Sequence, residues 1–381
     1  MGNSQSRNDA AKHTAHISKL YTTDTWIEGR AEDQLTQVSS WPGMLHVAAF
    51  PDLHPGRHGP VGAAFLADRI YPQLIGPDIG CGMTLYALDL PKRKLKLDKA
   101  VRRLRGLEED ADLEVAESLL SSSGLIEAFS PHGLGSVGSG NHFVELQSVG
   151  KIYNAEQASS IGLKQDQLCL LVHSGSRNHG ARVFSGIEES WRHGFAESSS
   201  EGSAYLKLHN DAVHWAKLNR DLIAQRAADA LRSGVTPICD SVHNALEEKD
   251  GAWLHRKGAA KPDTSGLAPL AGSRESLSYL MGSEEMPQEA LGSLSHGAGR
   301  RYDRASMHGR IQKNKSSLSS MTRTHFGGQV ICDDRSLLIE EAGHAYKDAG
   351  AVARDLEHFK VARRILSLRP LITFKTAQQR S

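Results

Sequence analysis

Cysteine is scarce in this chain of 381 residues, which has four of them, at Cys81, Cys169, Cys239 and Cys332. They lie far apart and form no CxxC pair, which argues against a disulfide scaffold and against a zinc ribbon. Isolated thiols of this kind fit a reducing compartment, so the sequence predicts a cytoplasmic protein. Cys169, Cys239 and Cys332 are expected to be small buried hydrophobic residues.

The chain also lacks an excess of charge and any long apolar run. Its formal net charge is +1, so the overall charge neither requires nor excludes a nucleic acid as partner. No stretch approaches about 18 consecutive apolar residues, and the N-terminus is polar. The sequence therefore predicts neither a membrane span nor a secretory signal. The chain shows no internal repeat, and no long linker divides it.

Apolar periodicity predicts two amphipathic helices. The first covers residues 204–233 and ends before Gly234, and the second covers about residues 351–368 and ends before Pro370. The segment LITFK after that proline is expected to be a terminal strand. Buried strands are also expected in HVAAFPDLH, MTLYALDL and DQLCLLVHSG. Strands and helices do not alternate regularly, so the predicted fold class is α+β rather than a doubly wound sheet.

One short turn stands out among the polar segments. The stretch LIGPDIGCGM places an acid and a thiol three residues apart, at Asp78 and Cys81. The glycines at 76, 80 and 82 lack a Cβ, so the backbone can take positive φ and bring both side chains round one point. This spacing predicts a turn that binds a ligand.

Other polar residues gather at the expected strand ends. The segments are FPDLHPG (50–56), PDIGCGM (77–83), GSGNHFVE (138–145), VHSGSR (172–177), VHN (242–244) and SHGAGR (295–300). Histidine occurs in five of these six segments. Neutral imidazole, thiolate and carboxylate together suit borderline divalent ions such as Mn, Co or Zn, and a thiolate can bridge two ions. The sequence therefore predicts a metal centre.

The motifs PDIGCGM, GNHFVE, HSGSR and SHGAGR resemble, in sequence and in order, those of the RtcB family of RNA ligases. The resemblance extends from about Trp26 to Lys375 and implies a single compact α+β domain, residues 26–381, with mostly antiparallel sheets around a central dinuclear metal cleft. Residues 1–25 would form an N-terminal segment, for which flexibility is one reading. The shorter length resembles the compact branch associated with release factor H, so a release-factor-H-like protein is an implied functional partner.

The implied activity is GTP- and Mn²⁺-dependent joining of an RNA 3′-phosphate or 2′,3′-cyclic phosphate end to a 5′-hydroxyl end. By this resemblance, one manganese ion is held by Asp78, Cys81 and His142, and Cys81 bridges to a second ion held with His173 and His243. Two ions close together can neutralise phosphate charge and orient an in-line displacement. The RNA itself, whether tRNA, ribosomal or messenger RNA, is left open because all can present the same broken ends.

His296 resembles the histidine that attacks the α-phosphate of GTP and carries GMP. Imidazole suits this role because it is nucleophilic when neutral and a good leaving group once protonated. The resemblance implies a guanylate pocket that includes Asn141, Glu145, Ser273, His296, Tyr346 and Lys375. Glu145 is expected to select guanine, because a carboxylate only accepts hydrogen bonds and guanine presents two adjacent donors.

Arg177, Arg300 and Arg304 are expected to hold RNA phosphates as bidentate donors. One loop departs from the family pattern: where PGSMG is common, this chain has LAGSRES, with Arg274 and Glu275 in place of an apolar residue and a glycine. The sequence therefore predicts rearranged contacts with the nucleotide at this loop.

Two other functions remain open beside the ligase. A dinuclear-metal RNA phosphoesterase would use the same metal ligands, but it would have no use for His296 or Lys375. A non-catalytic RNA-repair scaffold would be expected to have lost ligands, yet all of the motif residues are present.

Overall fold

The computed structural model describes residues 14–186, 193–283, 285–311 and 315–377. The strands in these ranges are β1 (His16–Lys19), β2 (Met44–His54), β3 (Val61–Ala67), β4 (Gly82–Leu88), β5 (Phe143–Ile152), β6 (Leu168–Ser174), β7 (Val235–Val242), β8 (Asn244–Lys249), β9 (Ala252–Lys257), β10 (Ala259–Ala260), β11 (Leu267–Leu270), β12 (Ser278–Gly282), β13 (Leu294–Ser295), β14 (Gln329–Ile331) and β15 (Arg363–Phe374). The α-helices are α1 (Gly29–Ser39), α2 (Pro72–Ile75), α3 (Leu97–Leu104), α4 (Leu113–Ser122), α5 (Ala155–Ser160), α6 (Asn178–Ser185), α7 (Ser200–Leu231), α8 (Arg304–Arg310), α9 (Lys315–Ser320), α10 (Arg335–Glu340) and α11 (Ala349–His358).

Most strands pair antiparallel. The largest sheet has eight strands in the order β11-β12-β15-β5-β6-β4-β7, with β14 added alongside β15. A five-stranded sheet has the order β1-β2-β3-β9-β8, and β10 pairs with β13. The pairs β1 with β2 and β14 with β15 are parallel. The predicted α+β fold with mostly antiparallel sheets is therefore confirmed.

The eight-stranded sheet curls until its end strands, β11 and β7, lie against each other, which makes it a near-barrel. Successive side chains of a strand point to opposite faces. On one face, Leu85, Leu171 and Leu366 belong to one apolar cluster. On the other face, Leu170 packs in a second cluster with Ile223 of α7. The sheet therefore separates two apolar layers, one inside the near-barrel and one beneath α7.

The helix predicted over residues 204–233 is confirmed as α7. It begins four residues earlier than expected, at Ser200, because the side chain of Ser199 caps it by accepting from the Gly202 N–H. Trp215 and Ile223 on its apolar face are fully enclosed. The buried face of α7 is therefore largely apolar, but it also contains Asn219 and Arg220.

The helix predicted over about residues 351–368 is wrong in its second half. α11 ends at His358, and β15 begins at Arg363. Leu366 fits a helical period, but it pairs with β12 on one side and with β5 on the other. Tertiary pairing therefore outweighs local periodicity. The strand predicted after Pro370 is confirmed, and the proline itself lies at a register shift in the pairing with β5.

Part of the predicted N-terminal segment belongs to the folded sheet. Within residues 1–25, strand β1 pairs in parallel with β2. Residues 1–13, the rest of the segment for which flexibility was one reading, lie outside the described residues. No helix in the described part of the chain combines the length and the apolar character that a membrane span needs.

Several strand ends meet at one edge of the near-barrel. Gly82, which begins β4, pairs with Ser174 at the end of β6 and with Val242 at the end of β7. The start of β5 lies at the same edge, because Phe143 pairs with His173. Antiparallel pairing thereby gathers motifs that are far apart in sequence.

A buried arginine on α7 fixes this edge. The Arg220 side chain is fully enclosed, and its Nη1 donates to the carbonyl oxygens of Gly80 at 3.0 Å and Ser174 at 3.1 Å. Its Nε and Nη2 donate to the two carboxylate oxygens of Asp240 at 2.9 and 3.1 Å. This bidentate pair holds the guanidinium in one orientation. One side chain therefore ties α7 to the turn before β4, to β6 and to β7.

Candidate active site

The turn before β4 has the tight shape that its glycines predicted, with one difference in mechanism. Gly76 and Gly80 have φ of +75° and +72°. Gly82 is not among the residues with positive φ. Its missing side chain instead leaves room for β7, because a Cβ there would lie 2.9 Å from the carbonyl oxygen of Ser241. The turn therefore needs glycine twice for backbone conformation and once for close approach.

The five predicted metal ligands converge at this turn. Cys81 Sγ lies 3.3 Å from His142 Nε2 and 3.2 Å from His173 Nε2. The Nε2 atoms of His173 and His243 are 3.2 Å apart, and His142 Nε2 is 3.2 Å from Asp78 Oδ2. The donor atoms form two groups that could each hold an ion, and Cys81 belongs to both groups. This is the arrangement that a bridging thiolate needs.

The chemistry of these side chains fits divalent cations. Burial lowers the pKa of His173 and His243 well below the usual range, so both imidazoles are neutral and keep a lone pair. Burial, with the charge of Asp78 beside it, raises the pKa of the Cys81 thiol. A thiolate at this position therefore requires a cation next to it. An ion between the closely spaced nitrogen and sulfur atoms would turn their contacts into coordination.

A further histidine lies beside these five residues, Asp78, Cys81, His142, His173 and His243, which we call the metal-ligand cluster. His296 Nδ1 is 2.7 Å from Asp52 Oδ2, and the same oxygen accepts the backbone N–H of His296 at 3.2 Å. Because Asp52 is fully buried and accepts at Nδ1, it keeps the proton there and leaves a lone pair on Nε2. The rings of His296 and His243 are 4.6 Å apart between centroids. An imidazole nitrogen with a free lone pair thus lies next to a predicted metal ligand.

Asp52 is a functional residue that the sequence analysis missed. The motif FPDLHPG was recognised, but no role was given to its acid. Lys347 supports this residue, since its Nζ donates to the carbonyl oxygens of Pro51 at 3.0 Å and Leu53 at 2.7 Å, on either side of Asp52. An acid placed at the end of an apolar strand was the signal available in the sequence.

His296 opens onto a cavity of about 430 Å³, a volume typical of small-molecule sites. The cavity is lined by all six residues predicted for the guanylate pocket, namely Asn141, Glu145, Ser273, His296, Tyr346 and Lys375. Three of the predicted metal ligands also line it, namely Asp78, His173 and His243. The predicted nucleophile, three of the predicted metal ligands and the predicted guanylate pocket therefore line one cavity.

Glu145 lies in the cavity wall on β5 and is 3% exposed. Its Oε1 accepts from Thr373 Oγ1 at 2.5 Å, and its Oε2 accepts from Gln147 Nε2 at 2.5 Å. Burial raises the pKa of Glu145 to about 7, although these two hydrogen bonds and the charge of Lys375 act in the opposite direction. The wall thus contains a carboxyl group that changes charge near neutral pH.

Glu341 is a second buried glutamate that the sequence analysis missed, and it forms ion pairs with three of the cations that line the cavity. Glu341 is paired with Arg300 at 3.0 Å, Arg304 at 3.3 Å and Lys375 at 3.2 Å, and it also accepts from the Tyr346 hydroxyl. Burial favours the neutral acid, but these cations outweigh it and lower the pKa of Glu341 to about 2. Its sequence context, IEEAG, carries no pattern that separates it from a surface glutamate.

The arginines predicted to hold RNA phosphates lie in three different settings. Arg304 lines the cavity, and its side chain is 46% exposed. Arg300 is largely used within the protein, where its Nη2 donates to the Glu340 carbonyl at 2.7 Å and its Nε to the Tyr302 carbonyl at 3.0 Å. Arg177 is half-buried, and its Nε has no partner among the described residues. Their contact with RNA stays a prediction.

A cluster able to hold two cations, beside an imidazole nucleophile and a nucleotide-sized cavity, is the arrangement expected of a metal-dependent nucleotidyl-transfer enzyme. The chain belongs to the RtcB family. The sequence profile of that family, described as tRNA-splicing ligase RtcB, matches residues 34–118 and 99–376. The resemblance inferred from the motifs is thereby confirmed.

Curated relatives match over nearly their whole length. The chain is 40% identical to the RNA-splicing ligase RtcB2 of Escherichia coli, over 95% of this chain and 96% of the relative. It is 25% identical to the tRNA-splicing ligase RtcB of Methanococcus maripaludis, over 92% and 93% of the two chains. It is 27% identical to the tRNA-splicing ligase RtcB of Thermococcus kodakarensis, over 93% of each chain.

Replacing Cys81 by serine tests the shared ligand. Because a hydroxyl is rarely deprotonated and Cys81 belongs to both donor groups, Cys81→Ser should weaken binding of both ions. The loss in affinity should exceed the roughly 10- to 100-fold that removal of an outer-shell partner causes. Metal analysis after dialysis measures it, with Cys169→Ala as the control for loss of a buried thiol. Two tightly held ions in Cys81→Ser would contradict the bridging role.

Proposed function

We propose that this protein is a GTP- and Mn²⁺-dependent RNA ligase. It joins an RNA 3′-phosphate or 2′,3′-cyclic phosphate end to a 5′-hydroxyl end through a histidine–GMP intermediate at His296. Two Mn²⁺ ions, held by the cluster around Cys81, would neutralise phosphate charge during the reaction. The names of its relatives and the geometry of the cavity both support this proposal.

The observation that carries the proposal is the pair of His296 and Asp52 next to the metal-ligand cluster. Nε2 of His296 would form a bond to the α-phosphorus of GTP, while the bond from that phosphorus to the pyrophosphate oxygen breaks. The attacking imidazole becomes positively charged, and the buried carboxylate of Asp52 stabilises that charge. Nδ1 keeps its proton throughout, so no separate base is required.

The alternative of a dinuclear phosphoesterase explains less of the cavity. Hydrolysis would use the cluster around Cys81, but it gives no role to an imidazole oriented by a buried acid, nor to Glu145 and Lys375 in the wall. A non-catalytic scaffold explains still less, because it has no need for a nucleophile held in one tautomer. Ligation accounts for all of these residues together.

The proposal extends to substrate, partner and location. The substrates are RNAs with broken ends, such as tRNA, ribosomal RNA or messenger RNA, and Arg177, Arg300 and Arg304 would hold their phosphates. Of these three, Arg304 supports the proposal best, because it lines the cavity with its side chain 46% exposed. A release-factor-H-like protein would be a functional partner, and the cytoplasm would be the site of action. Asn141, Ser273 and Tyr346 would hold the nucleotide around the reacting phosphate.

Loss of the nucleophile tests the reaction class. His296→Ala should abolish the covalent adduct that forms from labelled GTP and Mn²⁺, because no other described histidine in the cavity has its Nδ1 held by a buried carboxylate. Metal content should not change, since His296 is not one of the proposed ligands. Adduct formation followed by denaturing gel measures the first effect, and metal analysis measures the second. An undiminished adduct would place the nucleophile elsewhere.

Glu145 predicts how nucleotide binding depends on pH. Its pKa is raised to about 7, so the neutral acid is present at lower pH and the carboxylate at higher pH. Only the carboxylate accepts from both donors of guanine. The affinity for GMP should therefore increase as pH rises from about 6 to about 8.

Glu145→Ala should remove this pH dependence and most of the preference for GMP over AMP. Discrimination of this kind reaches roughly 10⁴-fold in favourable sites, because the wrong base leaves buried polar groups unpaired. Calorimetric titration with both nucleotides across the pH range measures the two effects. A variant that still rejects AMP as strongly as the parent would remove Glu145 from the guanine site.

A further inference from the structure

We propose that a second RNA-binding site lies at the opposite end of the near-barrel from the metal-ligand cluster. It is a shallow depression that we call the basic depression. Its five cationic side chains are Lys94, Lys96, Lys99, Arg103 and Arg232. This proposal rests on the ligase function proposed above, since it assigns the depression to the body of the RNA whose ends are joined.

The charge of the basic depression is of one sign. It has a volume of about 270 Å³, and none of the residues that line it is acidic. In the part of the chain that the structure describes, none of its five cations forms an ion pair, whereas the neighbouring Lys92 pairs with Asp166. An acid on the same helix, Asp98, accepts from Gln329 instead. The cations are therefore available to an anionic ligand.

This arrangement is unfavourable for the isolated protein. Lys99 and Arg103 lie one turn apart on α3, where like charges destabilise a helix. Lys96 precedes the helix, at its N-cap, where the helix dipole favours negative rather than positive charge. Only Ala100 and Leu104 on this helix are buried. An external polyanion would offset this repulsion.

The position of the depression favours RNA over a nucleotide. β4 starts directly after the turn that carries Cys81 and ends at Leu88, close to the depression. At the usual rise per residue of a strand, the two sites are therefore about 20 Å apart. A nucleotide bound at His296 cannot extend that far. An RNA chain can occupy both sites, because its phosphodiester backbone continues beyond the broken end.

A triple charge reversal tests the proposal in the full chain loaded with Mn²⁺. Lys94→Glu/Lys96→Glu/Lys99→Glu should weaken binding of a long single-stranded RNA and reduce the slope of log affinity against log salt by about 2. Binding of a short RNA end and formation of the GMP adduct should not change. The control Lys151→Glu/Arg354→Glu/Lys360→Glu makes the same charge change at exposed cations elsewhere, and it should keep the slope of the parent.

Three results would overturn the proposal. The first is an equal salt slope in the two triple variants, which would mean that the depression makes no phosphate contact. The second is displacement of the long RNA by inorganic tripolyphosphate at the parent's depression, which would assign it to small polyphosphates. The third is a parent that forms no GMP adduct and binds neither RNA, which would overturn the ligase function as well.

The loop at residues 271–277, where the sequence departs from its family, contains a buried arginine. Arg274 lines the catalytic cavity and is 5% exposed, yet its Nε and Nη1 have no hydrogen-bond partner among the described residues. We infer that Arg274 binds the acceptor edge of the guanine base, at O6 and N7. This inference also rests on the proposed ligase function.

The loop that carries Arg274 is connected by hydrogen bonds to the proposed base-reading carboxylate. The loop is joined to Glu145 through Ser278, whose Oγ accepts from the Gly272 N–H at 3.0 Å and from Gln147 Nε2 at 3.2 Å. Gln147 donates in turn to Glu145. The same loop is also joined to the proposed nucleophile, because the Ala271 N–H donates to the His296 carbonyl at 3.2 Å. Arg274 therefore stands on a loop that borders both the proposed base-reading carboxylate and the proposed nucleophile.

Nearby acids do not satisfy this guanidinium. Glu275, its neighbour in sequence, packs against Gly343, where a Cβ would lie 2.4 Å from Glu275 Oε2. The Glu341 carboxylate is paired with Arg300, Arg304 and Lys375. A buried charge without partners is costly, so its donors need acceptors from a ligand.

Guanine supplies acceptors for these donors. When its ring N–H and amine face Glu145, its O6 and N7 stay free on the adjacent edge, and an arginine can contact both with two parallel hydrogen bonds, one from Nη2 and one from Nε or Nη1. Adenine has an amine in place of O6, and this amine would face a group that only donates. Arg274 would thus be a second residue that selects guanine, beside Glu145.

Equilibrium binding of GMP and 7-deaza-GMP to the Mn²⁺-loaded protein tests this contact. GMP has no pyrophosphate to lose, so it reports binding without the adduct, and 7-deaza-GMP lacks only the N7 acceptor. The parent should bind 7-deaza-GMP about tenfold more weakly than GMP, as expected for one lost hydrogen bond to a charged group. Arg274→Met should weaken GMP binding and bring the ratio of the two affinities close to one.

Arg274→Lys serves as the second variant, because it keeps the charge without the paired donors and should give an intermediate ratio. A ratio that is unchanged in both variants, or a parent that does not distinguish the two nucleotides, would overturn the role of Arg274 alone. A parent that binds no GMP would overturn the ligase function and this inference together.

Discussion

The geometry of the catalytic site depends on one buried guanidinium. Arg220 donates to the carbonyl oxygens of the turn before β4 and of the end of β6, while its bidentate contact with Asp240 fixes it to β7. Those three elements carry Cys81, His173 and His243. Because a buried charge is stable only when its donors are satisfied, any displacement of one element leaves donors unpaired. The elements that carry the proposed metal ligands are therefore joined by the hydrogen bonds of Arg220 to two backbone carbonyls and to the Asp240 carboxylate.

The cavity contains two groups of titratable residues, one around His296 and one around Glu341, and the two groups have different proposed functions. Beside His296, the buried imidazoles of His173 and His243 stay neutral, and the Asp52 carboxylate accepts a hydrogen bond from His296 Nδ1, which keeps its proton. Around Glu341, one ionised acid balances several cations. Lys375 connects the two groups, since its Nζ also donates to the His142 carbonyl at 3.1 Å. Lys375 thus connects the charges of the proposed nucleotide pocket to the backbone of His142, which is a proposed metal ligand.

The sequence predicted the residues of the site better than the forces that position them. Clustered histidines at the expected strand ends predicted a metal centre, and the resemblance to the RtcB family supplied the five residues that converge in the structure. Asp52, Glu341 and Arg220 were missed or unassigned, since an acid or arginine becomes distinctive only through burial and partners that are distant in sequence. The helix expected up to residue 368 failed for a related reason: the pairing of β15 with two other strands is a long-range interaction that local periodicity does not contain.

The place of β15 in the sheet also constrains when the site can form. This strand comes last among the described elements, yet it lies between β12 and β5 in the middle of the near-barrel. It carries Thr373, which binds Glu145, and leads directly to Lys375. During synthesis, the sheet stays split into two parts until residues 363–375 leave the ribosome. A chain without these residues lacks Thr373 and Lys375, which both line the cavity.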